Sequence, residues 1–211
     1  QLCAQVFQIG DIALFDIGEV RDVALGGGHV LGIPEMDQPQ LMRWVAELGC
    51  LVLSVDYRLA PETLFPGPMD DAYSALCWLN EQSDALGIDP DRIAVSGSSA
   101  GGAMAAWLCL MAHDRGNYKI AFQHLEAPRL DDRLAAPEDA NAFTGEFVWT
   151  RENSAYCRQA YLGKNTSDPY GSAARATSLS GLPPAYIAVG SLDLFVDECL
   201  AYTSRLGRSG V

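Results

Sequence analysis

The chain has 211 residues, 49% of them hydrophobic and 19% charged, which suits a single globular domain with a full core and argues against disorder. Its formal net charge of −13 opposes binding to nucleic acid or to an anionic membrane, both of which need basic patches. The six cysteines form no C-x-x-C pair and no metal-ligand spacing with the three histidines, so neither a disulfide scaffold nor a metal site is expected. Several cysteines fall in apolar helical runs, where a reduced thiol behaves as a small buried hydrophobe, as a reducing cytoplasm allows. Signal-peptide and membrane-spanning patterns are lacking, and a cytoplasmic location is the expectation, although the chain starts at Gln1 rather than at methionine.

In chain order, apolar runs alternate with helical periodicities. This predicts an α/β fold with a mostly parallel, doubly wound sheet covered by helices on both faces. Strands are predicted over 12–15, 23–25, 51–56, 93–96, 120–126 and 185–190. Leu41, Trp44, Val45 and Leu48 recur at helical spacing and predict one buried helical face. Tyr73, Leu76, Cys77 and Leu79 predict a second helix, with Asp70 and Asp71 at its positive end. The stretch 100–112 is apolar nearly all round, so its helix should be among the most buried, with Met104, Trp107 and Met111 packing the core. Residues 134–163 break the alternation and carry Phe143, Phe147, Trp149, Tyr156 and Tyr161. No internal repeat or linker divides the chain, so 1–211 is expected to be one domain.

Two motifs carry chemistry. Gly97-Ser98-Ser99-Ala100-Gly101 lies between a predicted strand and a predicted helix, the context of a G-x-S-x-G nucleophile elbow. Glycines at 97 and 101 permit a crowded turn that lifts a serine hydroxyl out of the backbone. The helix that opens behind Ser99 aims unpaired N–H groups at a centre where negative charge would develop. Upstream, Gly26-Gly27-Gly28-His29 follows the apolar run Val23-Ala24-Leu25; consecutive glycines leave main-chain N–H groups open to a carbonyl oxygen, as in an H-G-G-G oxyanion loop.

With these motifs the chain resembles the hormone-sensitive-lipase-like (family IV) branch of the α/β-hydrolases. The likeness runs from Gly26 through Asp56-Tyr57-Arg58-Leu59-Ala60-Pro61-Glu62, Phe65-Pro66, the elbow with Gly102, and Leu130-Asp131-Asp132-Arg133. It continues to Gly181-Leu182-Pro183-Pro184-Ala185-Tyr186 and Asp193-Leu194-Phe195-Val196-Asp197-Glu198. The resemblance implies Ser99 as nucleophile, Asp193 as the acid of the triad, and the N–H groups of Gly27, Gly28 and Ala100 as oxyanion-hole donors. It implies an α/β-hydrolase fold in which 134–163 contributes to a cap, or is merely anchored by its aromatics. His29 and Trp149 are its candidates for lining the substrate pocket. Asp197, Glu198, Asp131 and Asp132 are read as structural.

Two positions depart from the family pattern. Leu25 stands where the family carries a histidine that props the oxyanion loop, and no histidine follows Asp193. Of the three histidines, His29 lies in the oxyanion loop. His113 ends the helix opened by Ser99, ~20 Å away at ~1.5 Å per residue. His124 is read as a buried, hydrogen-bonded core residue. None is assigned as the base, and the expectation is a chain incomplete at its C-terminus, and also at its N-terminus. The implied function is that of a serine carboxylesterase acting on small-molecule carboxylic esters through an acyl-enzyme on Ser99, without metal or organic cofactor. The chain alone is expected to be weak or inactive. A homodimer is left open. A hydrolase fold retained for ligand binding without catalysis, and hydrolysis of amides, carbamates or lactones, are the alternatives.

Overall fold

The computed structural model describes residues 4–7, 12–17, 27–33, 37–133, 140–163 and 172–211, with the backbone alone described over 4–7 and 12–17. Among the described residues six strands form one sheet: β1 (Ala4–Phe7), β2 (Ile12–Ile17), β3 (Cys50–Val55), β4 (Ile93–Ser98), β5 (Phe122–Glu126) and β6 (Ala185–Ala188). Their order is β1-β3-β2-β4-β5-β6, all parallel except β1, which runs antiparallel to β3 along the edge. Among the described residues six α-helices accompany them: α1 (Gln38–Leu48), α2 (Gly67–Glu81), α3 (Ser83–Leu86), α4 (Ala100–Arg115), α5 (Arg151–Leu162) and α6 (Val196–Arg208).

β3 shows why the sheet must be covered twice. All six of its residues are buried. Alternate side chains of a strand point to opposite faces, and those of β3 divide accordingly. Leu51, Leu53 and Val55 join the large core with α2, α4 and α6. Cys50 and Val52 join a smaller one with Leu41 and Val45 of α1. Five of its six residues are apolar, as a strand buried on both faces needs. α4 is the central helix: every residue from Ala100 to Ala112 is buried. It ends where Gly116 takes φ 64° and its N–H caps Ala112 O, a conformation that suits glycine.

The predicted strands at 12–15, 51–56, 93–96, 120–126 and 185–190 correspond to β2–β6 with ends shifted by one or two residues. The predicted strand over 23–25, with Leu25 and Gly26, lies outside the described residues, as do Cys3 and residues 134–139 of the insertion. The second helix opens at Gly67 rather than at Asp70, with Pro68 in its first turn, where a proline costs no hydrogen bond. His124 is half-buried rather than buried. Its Nδ1 lies 3.1 Å from Ser96 Oγ on the neighbouring strand, and its ring stacks on Tyr186 at 5.2 Å. That face of β5 and β6 is open enough to leave Tyr186 half exposed.

The insertion resolves into two parts. An irregular stretch leads to α5, whose N-cap Thr150 accepts from Asn153 N–H. Its aromatics divide sharply: Trp149 and Tyr161 are buried, whereas Phe143 and Phe147 are 79% and 74% exposed and Tyr156 is 65% exposed. Two of the five therefore anchor the segment. Cys50, Cys109, Cys157 and Cys199 are buried and Cys77 is half-buried, and none of these five forms a disulfide among the described residues. Among the described residues no helix is long and apolar enough to cross a membrane, and no group of three or more His, Cys, Asp or Glu could hold a metal ion.

Candidate active site

β4 runs straight into the elbow. Ser99 is the N-cap of α4 and sits at φ 53°, ψ −113°, a conformation a side-chain-bearing residue adopts only under constraint. Three main-chain bonds impose it. Ser99 N–H donates to Glu126 O at 2.8 Å, and Ser99 O accepts from Ala103 N–H at 3.0 Å and from Arg129 N–H at 3.1 Å. A Cβ at Gly97 would stand 2.3 Å from the carbonyl carbon and oxygen of Gly101, and one at Gly102 would stand 2.9 Å from Pro128 Cβ. The strand and the helix approach as closely as these glycines allow. Ser99 is half-buried, and no described residue hydrogen-bonds its hydroxyl.

The glycine loop is a tight turn. Val30 N–H donates to Gly27 O at 2.7 Å, with Gly28 at φ 53° and His29 at φ 67° as central residues. Positive φ at both is the signature of a primed turn. Among the described residues, none accepts from the N–H of Gly27 or Gly28. The loop is held from behind: His29 O accepts from Ala60 N–H at 2.8 Å, which ties it to the Asp56–Glu62 motif. Within that motif Arg58 forms an ion pair with Asp71 at 2.8 Å. A Cβ at Gly28 would meet Cys157 Sγ at 2.7 Å and the Trp149 ring at 2.9 Å, so α5 and its approach close over the loop.

His29 is fully buried. Its ring stacks on Tyr161 with centroids 4.0 Å apart and planes 13° apart, and its edge meets Tyr57. Burial, helped by the nearby charge of Arg129, holds its pKa well below the usual histidine value, so the ring is neutral at pH 7. Neither ring nitrogen has a partner among the described residues, and His29 therefore bonds neither Ser99 nor Asp193. His113 sits in the last turn of α4, against Gly181.

Asp193 follows β6 in a turn closed by its own N–H on Gly190 O at 3.0 Å. Its Oδ1 accepts from Phe195 N–H at 2.8 Å, leaving Oδ2 for another donor. Burial pushes its pKa up, and the Phe195 N–H pulls the other way. Beside it lies a cavity of about 420 Å³, lined by Phe147, Val148, Trp149, Leu192 and Leu194 among others; His29 is not in its wall. Ser99 and Asp193 thus both stand at carboxyl ends of parallel strands, where α/β sites assemble. Gly28 reaches the Asp193 cavity through Trp149.

The remaining acids do structural work. Asp131 pairs with Arg133, and Asp132 with Arg175 at 2.7 Å. Glu198 is the residue that sequence reasoning undervalued. Its Oε1 accepts from Leu130 N–H at 2.6 Å and from Asp131 N–H at 3.3 Å. Burial pushes its pKa up to about 7, against the pull of those two N–H groups and of Arg129; Asp131 adds to the rise. Between the ordinary carboxylate value and about 7, the folded protein holds a proton that the unfolded chain has lost, so stability falls as pH rises through that window. A shift of that size is worth roughly 3 kcal/mol. In Glu198→Gln this slope should vanish. Melting temperature against pH, parent beside variant, checks it, because Asp131 and Glu152, whose pKa values are lowered and act in the opposite sense, are common to both.

A family model described as the α/β-hydrolase fold matches residues 24–211. The chain is 36% identical over 193 residues to the carboxylic ester hydrolase LipN of Mycobacterium tuberculosis, covering 88% of this chain and 51% of that one. It is 34% identical over 188 residues to an arylesterase of Saccharolobus solfataricus, with 88% and 61% covered. Among solved structures, a bacterial heroin esterase matches with a TM-score of 0.87 at 37% identity over 100% of this chain and 72% of its own. The esterase LipW of Mycobacterium marinum matches with a TM-score of 0.86 at 32% identity, over 100% and 65%. The chain spans about half to three fifths of the length of the curated relatives it matches. It belongs to the α/β-hydrolase fold family, in the hormone-sensitive-lipase-like branch.

Proposed function

We propose that the chain carries the nucleophile and acid side of a serine carboxylesterase site acting on small carboxylic esters. The observation that carries this reading is the elbow: Ser99 held at φ 53° on the N-terminus of a buried helix; the Gly27 and Gly28 N–H groups, which find no described acceptor, supply the second half of the proposed site. Ser99 Oγ bonds to the ester carbonyl carbon while its proton passes to a base, and the carbonyl oxygen gathers negative charge against the N–H groups of Gly27, Gly28 and Ala100. The alcohol departs with a proton returned by that base, and water then releases the acid from Ser99 by the same steps. Asp193, with Oδ1 committed to Phe195 N–H, offers Oδ2 to orient a base. The apolar wall beside Asp193 suits an uncharged acyl or alcohol group, and 140–163 closes over the site as a cap. No step calls for a metal or organic cofactor. A cytoplasmic protein working as a monomer or a homodimer is consistent with this reading.

The three histidines support a second statement. His29 is stacked and unpartnered, His113 is at the far end of α4, and His124 bonds Ser96. The 211 residues alone are therefore a weak esterase, and an external base should assist them. With imidazole in the buffer, the chain should hydrolyse p-nitrophenyl esters of short acids above the buffer rate, and Ser99→Ala should not. A protein that only binds ligands would give equal rates for parent and Ser99→Ala. Anilides and lactones in the same panel separate esters from the other substrate classes.

A further inference from the structure

We propose that Glu198 is a positioning residue that ties the turn carrying Asp193 to the elbow carrying Ser99. The inference rests on the roles proposed above for those two residues.

The path between them is short and entirely hydrogen-bonded. Asp193 accepts Phe195 N–H on its side chain, and its main-chain O accepts Val196 N–H at 3.3 Å, so the acid is locked to the first residue of α6. Two residues into that helix, Glu198 holds the N–H groups of Leu130 and Asp131. Next to it, Cys199 Sγ lies 3.4 Å from Pro128 O. Consecutive residues of α6 therefore grip both ends of the segment 128–131. Between the two grips lies Arg129, whose N–H donates to Ser99 O, and Pro128 is the residue against which Gly102 packs. The exit of β5 thus touches both the nucleophile and the helix behind the acid. Its own conformation does not hold it there: Ala127 sits at φ 39°, a region that alanine rarely adopts.

The side chain required at 198 follows from the geometry. Two adjacent, partly buried N–H groups need one acceptor that reaches across from α6, and a donor shielded from water and left without an acceptor is costly. Glutamate reaches; aspartate is one methylene short; alanine offers nothing. Glutamine keeps Oε1 and so keeps the grip without the charge. A purely structural role would make all three replacements lower stability without changing the chemistry at Ser99 in a folded sample.

The test is the rate at which a fluorophosphonate labels Ser99 in the 211-residue chain with imidazole present. In that reaction Ser99 Oγ bonds to phosphorus, fluoride leaves and the proton passes to imidazole. At a temperature where each sample is folded by circular dichroism, Glu198→Ala and Glu198→Asp should lower the limiting labelling rate by about 10- to 100-fold, the cost of a displaced reacting group. The probe concentration at half-maximal rate should hardly move, and Glu198→Gln should recover most of the rate. Should the alanine variant fail to fold, the aspartate–glutamine contrast decides the question alone. Equal rates in all folded variants, or a loss in glutamine as large as in aspartate, would overturn the proposal. Amide hydrogen exchange reads the same link without chemistry. Faster exchange in Glu198→Asp at Arg129 and Ser99 as well as at Leu130 and Asp131 supports it, and faster exchange confined to Leu130 and Asp131 overturns it. A parent chain that never labels at Ser99 would sink the esterase reading and leave the exchange result standing.

Discussion

Assayed alone, the 211 residues should hydrolyse p-nitrophenyl acetate on the order of 10⁶-fold more slowly than a serine esterase with a full triad, the cost seen when a triad histidine is removed elsewhere. The cause is proton transfer. Ser99 keeps its proton at neutral pH, and neither ring nitrogen of His29 reaches it. The oxyanion donors and binding alone can still leave roughly 10³–10⁴-fold catalysis over water. Because such groups act as a unit, Ser99→Ala should cost little further in the chain alone, yet remove nearly all of the turnover that imidazole restores. Parallel assays of the chain and a full-length relative, with and without imidazole, check both halves. A rate within about tenfold of the relative, without imidazole, would mean that a base is already in place.

Gly97→Ala should have the second-largest effect. Its Cβ would be 2.3 Å from the Gly101 carbonyl carbon and oxygen and 2.7 Å from Gly102 N, all of them backbone atoms with no rotamer to turn away. β4 and α4 must then separate, and α4 is the most buried of the described helices. Overpacking of this kind costs typically 1–3 kcal/mol and more where backbone must move. Denaturant unfolding should report a loss of at least that size, and Ser99 should no longer take up phosphonate in the folded remainder. Gly87→Ala is the control: nothing lies within 4 Å of its added Cβ, so it tests only the strain of φ 67°.

The elements that the chain's pattern reveals are those whose signal is local. α4 reads as buried from composition alone, because it is a continuous apolar run. β1 was not predicted: an antiparallel edge strand of four residues owes its existence to the β3 edge beside it. α5 and α6 were not predicted as helices either, though a signal was present. Cys199, Tyr202 and Leu206 recur at helical spacing, Asp197 and Glu198 sit in the first turn, and Arg205 and Arg208 in the last.

For the candidate site, motif spacing placed Ser99 and Asp193 at strand ends, which needs only topology. What it could not supply was contact between segments remote in sequence. His29 reads as a pocket residue from its place beside the glycines, yet Tyr161, over a hundred positions away, stacks on it and buries it. Glu198 reads as one more acid in a helix start until the N–H groups of Leu130 and Asp131 are found against it.

The identity of the reacting serine is open to direct measurement. Ser98 and Ser99 are adjacent and both half-buried, but Ser99 alone occupies the strained N-cap of α4. The chain is treated with a fluorophosphonate in the presence of imidazole, digested, and the modified residue located by tandem mass spectrometry. The label should lie on Ser99, with Ser98 unmodified and Ser99→Ala taking up none. Label on Ser98, or equal uptake by Ser99→Ala, would contradict the assignment of the nucleophile and the esterase reading built on it.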